Sequence, residues 1–283
     1  MNTTAQLLAS DPGFIRTADN TRLFYRDWGQ GAPLVFMTGW TLNSQMWAYQ
    51  MEPLSRLGCR CIAYDRRAHG RSGDPGRGYD YDTLADDLDA VLRTLDLSGV
   101  TLVGHSIASG EIVRYLSRHG SARIARVVLV APAATPFLLK TADNPNGIDG
   151  ELFEAGRAEM RRSFFDWIEA HAVPYFMPDT SRAAIDWTIR MMLETSLEAA
   201  LELARVQANT DFRAELAEVR VPTLVLHGDR DASAPLELTG RPTARLIEGA
   251  MLKVYEGAPH GLYFTHAEKL NRDLLAFLQA PRA

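Results

Sequence analysis

Ser106, Asp231 and His260 have the types and the placement that nucleophilic acyl transfer requires. A serine hydroxyl is a weak nucleophile until a base takes its proton, and that base needs an acid to hold its ring. Ser106 stands in Gly104-His-Ser-Ile-Ala108, directly after the apolar run Val100-Thr-Leu-Val103 and directly before a helix-like pattern. Strand, tight turn and helix, in that order, are the setting in which G-x-S-x-G acts as a nucleophile elbow. The helix N-terminus behind the serine favours developing negative charge. One position departs from the motif, with Ala108 in place of the second glycine.

In such an architecture the acid and the base follow the serine in chain order, in loops after later strands. The strand-like run 223–226 leads into His227-Gly-Asp-Arg-Asp231, and the run 252–255 leads into Glu256-Gly-Ala-Pro-His260. Of the seven histidines, His260 alone follows a late strand and precedes a final helix. Asp229 and Asp231 compete for the acid; Asp229, first after the strand, suits capping its own turn, so Asp231 is preferred. A developing oxyanion needs two donors. The backbone N–H of Ile107, next after the serine, supplies one, and the N–H of Trp40, after the strand 33–37, supplies the other. Gly39 lets that loop turn inward. His105, His69 and His227 read as supporting groups around these loops.

These residues need a scaffold that brings strand ends together. Strand-like runs at 33–37, 59–64, 100–105 and 126–130 alternate with helical patterns, including 82–95 with Asp82 as its N-cap. Continuous apolar strands alternating with helices predict a mostly parallel sheet covered on both faces. Alternation stops at Ala131 and resumes at Thr223, and the last helix opens with the capping-box pattern Thr265-x-x-Glu268. We therefore expect an α/β core over 1–131 and 211–283, with a helical cap, or lid, over 132–210 inserted after the sixth strand. The cap is rich in large apolar residues. Phe137, Phe153, Trp167, Phe176, Trp187 and Met191, with Trp40, are the candidates for an apolar substrate pocket.

The chain of 283 residues is 46% hydrophobic and carries a formal net charge of −5, which argues against nucleic acid or an anionic membrane as partner. Cys59 and Cys61, two apart on one strand, suit reduced core residues better than a disulfide or a metal site. Residues 1–10 lack a basic start and a long apolar stretch, and no run reaches membrane-spanning length, so a cytoplasmic protein is expected. No metal and no cofactor are called for.

The chain also resembles the α/β-hydrolase superfamily along nearly its whole length. Within it, the chain is similar to bacterial serine esterases grouped with cofactor-free (non-haem) chloroperoxidases and perhydrolases. The resemblance rests on Tyr64-Asp-Arg-Arg-Ala-His-Gly-Arg-Ser72, Asp82-Thr-Leu-Ala-Asp-Asp-Leu88, Gly104-His-Ser106 and Glu111-Ile-Val-Arg-Tyr115. It continues through Phe137-Leu-Leu-Lys-Thr-Ala-Asp-Asn-Pro145, His227-Gly-Asp-Arg-Asp231, Ala258-Pro-His-Gly261 and Leu270-Asn-Arg-Asp-Leu-Leu275. It implies a catalytic triad of Ser106, Asp231 and His260. Two positions differ from that group: Thr38 stands where histidine is usual, and Thr41 where the perhydrolase-type members carry proline. Both lie in the donor loop and argue against strong peracid or halogenating activity.

The expected function is hydrolysis of an apolar carboxylic ester or lactone through an acyl-enzyme. Carbon–carbon bond hydrolysis and cofactor-free perhydrolysis or haloperoxidation use the same triad and are the alternatives within catalysis. A ligand-binding receptor on a hydrolase fold is the alternative outside it.

Overall fold

The computed structural model describes residues 12–280. The apolar runs form one eight-stranded sheet from β1 (Phe14–Arg16), β2 (Arg22–Trp28), β3 (Ala32–Met37), β4 (Cys59–Tyr64), β5 (Val100–His105), β6 (Ile124–Val130), β7 (Thr223–Gly228) and β8 (Met251–Tyr255). Their order across the sheet is β1-β2-β4-β3-β5-β6-β7-β8. The first two strands pair antiparallel, and every pair from β4 to β8 is parallel.

Helices α1 (Ala48–Arg56), α2 (Tyr81–Thr94) and α3 (Ala108–His119) connect the first strands. Five more, α4 (Gly150–Arg162), α5 (Phe164–Ala172), α6 (Arg182–Leu193), α7 (Leu197–Asn209) and α8 (Arg213–Ala217), fall between β6 and β7. After β7 come α9 (Gly240–Leu246), α10 (Leu262–Thr265) and α11 (Ala267–Gln279).

Alternate residues of the inner strands feed two cores. Val35 and Met37 join Leu88 of α2 and Ile112 of α3 on one face, while Leu34 and Phe36 join Leu54 of α1 and Leu274 of α11 on the other. With both faces covered, no alternation of polar and apolar residues survives in the strands. Cys59 and Cys61 are free and sit in the second core together, as their spacing predicts.

The topology decides where a site can form. The connection after β3 leads to β4 on one side, and that after β5 leads to β6 on the other, so a crevice opens at the carboxyl ends of β3 and β5. Phe36 pairs with Val103 and Met37 with Gly104, so the loops starting at Thr38 and Ser106 leave the sheet side by side.

Two expected caps are not made. The α2 helix starts one residue earlier than predicted, because Tyr81 is drawn into the core, and Asp80 rather than Asp82 accepts the Thr83 N–H at 2.9 Å. Asp82 instead pairs with Arg114 and Arg118. Thr265 ends α10 and hydrogen-bonds His266 Nδ1 at 2.8 Å, so it does not cap α11. Among the described residues no helix is long and apolar enough to cross a membrane. The opening ten residues, read above as lacking a targeting signal, lie outside the described residues.

Candidate active site

At the end of β5 the chain turns sharply, with Ser106 at φ 58°. A non-glycine residue in that left-handed region costs on the order of 1 kcal/mol and is held only by what surrounds it. Here the Ser106 N–H donates to the Val130 carbonyl at 3.0 Å, and the Ser106 carbonyl accepts from Ala133 N–H at 3.2 Å. Ser109 Oγ adds a third tie to that carbonyl at 2.8 Å. Ala108 is accommodated because Gly104 lies opposite: a Cβ on Gly104 would stand 3.2 Å from the Ala108 Cβ and 2.6 Å from Ile112 Cδ1. The turn tolerates a methyl on one side only.

The loops after β7 and β8 are tied to each other and bring the two partners to the serine. Arg230 N–H donates to the Ala258 carbonyl at 3.0 Å, and Gly257 N–H donates to Asp229 Oδ1 at 2.7 Å. Asp229 therefore secures the neighbouring loop rather than its own turn, and it is Asp231 that meets the histidine. Ser106 Oγ lies 2.9 Å from His260 Nε2, and His260 Nδ1 lies 2.7 Å from Asp231 Oδ2. An ionised carboxylate only accepts, so Nδ1 carries the proton and Nε2 presents its lone pair to the serine hydroxyl.

All three residues are buried. Burial alone would raise the Asp231 carboxyl, but the charge of His260 and hydrogen bonds from His227 and His260 outweigh it and hold the group well below the usual carboxylate range. Asp231 Oδ1 also accepts from the N–H groups of Ser233 and Ala234, at 3.0 and 2.7 Å. His105 lies under the turn, its Nε2 3.0 Å from the His260 carbonyl oxygen and its ring centroid 4.7 Å from that of His260. Burial, then the charge of His260, pushes His105 well below its ordinary value, so it stays neutral.

The donor loop is braced by a buried ion pair that the sequence reading did not find. Arg66 and Glu111 are each about 98% or more sequestered, at 2% and 1% exposure. Arg66 Nε donates to Glu111 Oε1 at 2.7 Å, Nη2 to the Thr38 carbonyl at 2.7 Å, and Nη1 to the Gly39 carbonyl at 3.2 Å. In a trans peptide the C=O and the following N–H point in opposite directions. Drawing the Gly39 carbonyl toward Arg66 therefore turns the Trp40 N–H away from it. Gly39 leaves no room for a side chain, since a Cβ there would lie 2.6 Å from His105 Nδ1.

Thr41 sits at φ 60°, which a proline ring forbids, and its hydroxyl donates to the Trp40 carbonyl at 2.7 Å. Thr38 is buried, and its Oγ1 has no hydrogen-bond partner among the described residues.

His69 supports the same loop region. Its Nδ1 lies 2.8 Å from the Arg67 carbonyl oxygen and its Nε2 3.5 Å from Arg66 Nη1. Burial, then the Arg66 charge, pushes His69 down to about 3. The folded value lies below the unfolded one of about 6.5, so the neutral ring contributes stability that is fully present above pH ~6.5 and fades as pH falls toward 3. Each such histidine adds a slope of at most ~1.4 kcal/mol per pH unit. We expect the stability gap between the wild type and His69→Gln to narrow steadily from pH 6.5 to pH 4 in urea melts. Parallel curves would exclude the assignment.

A cavity of about 580 Å³ opens over Ser106 and His260. Of the seven predicted pocket residues, Trp40, Phe153 and Trp167 line it. Phe137, Phe176, Trp187 and Met191 do not: the Arg213 guanidinium covers the Phe137 ring, Trp187 packs on Tyr49 and Phe264, and Phe176 and Met191 fill the second core. Their apolar character made these four pocket candidates but could not say what they pack against. Arg157, Met160, Ile168, Tyr175 and Met192 are in the wall instead. The spacing of Arg157 from Phe153 and Met160, four and three residues along α4, was the one sequence signal for its inward direction.

A family model described as the alpha/beta hydrolase fold matches residues 32–267. The chain is 40% identical over 269 residues to the non-heme chloroperoxidase CPO-A1 of Kitasatospora aureofaciens, covering 93% of this chain and 98% of that one. It is 35% identical over 277 residues to the bifunctional esterase/perhydrolase DCH of Acinetobacter calcoaceticus, covering 95% and 100%. Among solved structures, the bromoperoxidase from Bacillus anthracis matches with a TM-score of 0.90 at 34% identity, covering 94% of this chain and 99% of that one.

Proposed function

Because the chain belongs to the α/β-hydrolase family, we propose that it is a serine hydrolase cleaving a carboxylic ester or lactone through an acyl-enzyme on Ser106. The observation that carries this reading is the unbroken run of hydrogen bonds from Ser106 Oγ through His260 to Asp231, 2.9 and 2.7 Å long, at the floor of a cavity. Ser106 Oγ attacks the carbonyl carbon as His260 Nε2 takes its proton, and Asp231 stabilises the imidazolium that forms. The tetrahedral oxyanion takes hydrogen bonds from the N–H groups of Ile107 and Trp40, the latter aimed by the pull of Arg66 on the Gly39 carbonyl. His260 then protonates the leaving alkoxide. Water enters, gives its proton to His260, attacks the acyl carbon and frees the acid and Ser106.

The segment 132–210 serves as a cap: residues of α4, α5, α6 and α7 supply most of the cavity wall. Trp40 anchors that cap to the core, donating its indole N–H to the Ala200 carbonyl at 3.0 Å. An ester or lactone of moderate size with an apolar chain suits the largely apolar walls and the volume.

Perhydrolysis is the second reading, favoured by the bifunctional esterase/perhydrolase among the similar proteins. Hydrogen peroxide replaces water at the acyl-enzyme, and the products are a peracid and free Ser106. The left-handed backbone at Thr41, which a proline ring could not adopt, supports treating it as a lesser activity. A panel of short-chain, aryl and lactone substrates, run with and without peroxide on the purified protein, tests the proposal. Multiple turnover on an ester or lactone is expected. Labelling of Ser106 by a fluorophosphonate with no turnover on any of them would favour a ligand-binding receptor.

A further inference from the structure

The inner wall of the cavity holds a charge that hydrolysis of a neutral ester does not use. On α4 only Arg157 and Met160 are buried, so an arginine occupies a position where an amphipathic helix ordinarily places an apolar residue. Arg157 and Glu159 are the formally charged residues in the described lining, and Glu159 is exposed to solvent. The Arg157 side chain is 5% exposed, and its ion-pair partner, Glu154, is 69% exposed. A carboxylate that exposed is screened by water and compensates a buried guanidinium poorly.

Only Nη2 of Arg157 reaches Glu154; Nε and Nη1 have no acceptor among the described residues, and neither is sealed off from solvent. A guanidinium offers five donors in a planar fork matched to a carboxylate. Apolar Phe153, Met160 and Trp167 line the same cavity. Such surroundings strengthen a charge-assisted hydrogen bond and make an unanswered donor costly.

We propose that Arg157 binds a carboxylate of the substrate, so that the preferred substrates are esters or lactones carrying a second, free carboxylate away from the scissile carbonyl. This rests on the hydrolase reading above and specifies its substrate class. The apolar wall holds the chain between the two groups, and Arg157 selects its charged end. A neutral analogue covers the Arg157 donors and takes their water without pairing them, which is how a polar group in a largely apolar site discriminates.

The test compares mono-p-nitrophenyl adipate with p-nitrophenyl hexanoate, which share chain length and leaving group, and 4-acetoxybutanoate with butyl acetate for the alcohol side. In the wild type at least one carboxylate substrate should exceed its neutral partner in kcat/KM. Arg157→Met should lower that ratio about 30-fold, the loss expected for one charge-assisted hydrogen bond, and Arg157→Lys should retain part of it. Adipate should also inhibit the wild type competitively and at least tenfold more tightly than hexanamide, a measurement that needs no variant to fold. Ratios that stay within twofold of wild type in Arg157→Met, or equal inhibition by adipate and hexanamide, would overturn the assignment. A wild type that turns over the neutral esters with such unchanged ratios removes this inference alone. One that turns over none of the four substrates, nor any in the broader panel, removes the hydrolase reading itself.

Discussion

Ser106→Ala should lower kcat for a nitrophenyl ester by about a million-fold while leaving the fold and its melting temperature almost unchanged. The size follows from what the hydroxyl does. Without Oγ no acyl-enzyme can form, and the residual rate comes only from a water held near His260 and from the oxyanion donors. The melting temperature should hold because the turn is secured through the backbone of Ser106, by Val130, Ala133 and Ser109, and not through its side chain. Alanine at φ 58° is no more strained than serine. Steady-state rates with thermal melts check both halves. Turnover near the wild-type rate in the alanine variant would remove Ser106 from the chemistry.

Arg66→Met should have the next largest effect, and on two quantities with different causes. Removing one partner of a buried pair strands the Glu111 carboxylate among apolar neighbours, which costs about 3–5 kcal/mol of stability. Freeing the Gly39 carbonyl also lets the Trp40 N–H swing out of line, and losing one oxyanion donor lowers kcat about 100- to 1,000-fold with little change in KM. The double change Arg66→Met with Glu111→Met separates the two. An apolar pair of similar volume restores much of the stability, as replaced buried ion pairs often do, yet nothing then holds the Gly39 carbonyl. Recovered stability with persistently low kcat is the expected result. Recovery of kcat along with stability would make Arg66 a structural residue only.

The sheet and the strand-end loops were legible because each rests on local signals. Val100-Thr-Leu-Val103 followed by Gly104-His-Ser106 names its own turn, and His260 follows a strand in a loop where packing has little use for an imidazole. Asp231 could be preferred over Asp229 only by role, since both stand in one loop. Their separate duties, one on His260 and one on the Gly257 N–H, depend on how two loops meet. Helix caps were misplaced by a residue or more at Asp82 and Thr265, where core packing of Tyr81 and the break at His266 set the boundary.

The cavity wall was the least legible part. Phe176 and Met191 are as apolar as Met160 and Ile168, and period alone says that each is covered, not whether by protein or by a ligand space. The Arg66–Glu111 pair was hidden for a related reason: the partners are 45 residues apart, and charged residues in a loop and a helix read as solvated. Such long-range contacts exist only once the sheet has brought β4 and β5, with the segments that follow them, to either side of β3.

The central claim is that an acyl group passes through Ser106. Wild-type protein should be quenched in acid during turnover of a p-nitrophenyl ester, digested, and its peptides weighed by mass spectrometry. The account predicts a mass increase equal to the acyl group on the peptide containing Ser106, appearing within the first turnover and absent in Ser106→Ala. Steady turnover with that peptide unmodified, or with the acyl group on another residue, would contradict it.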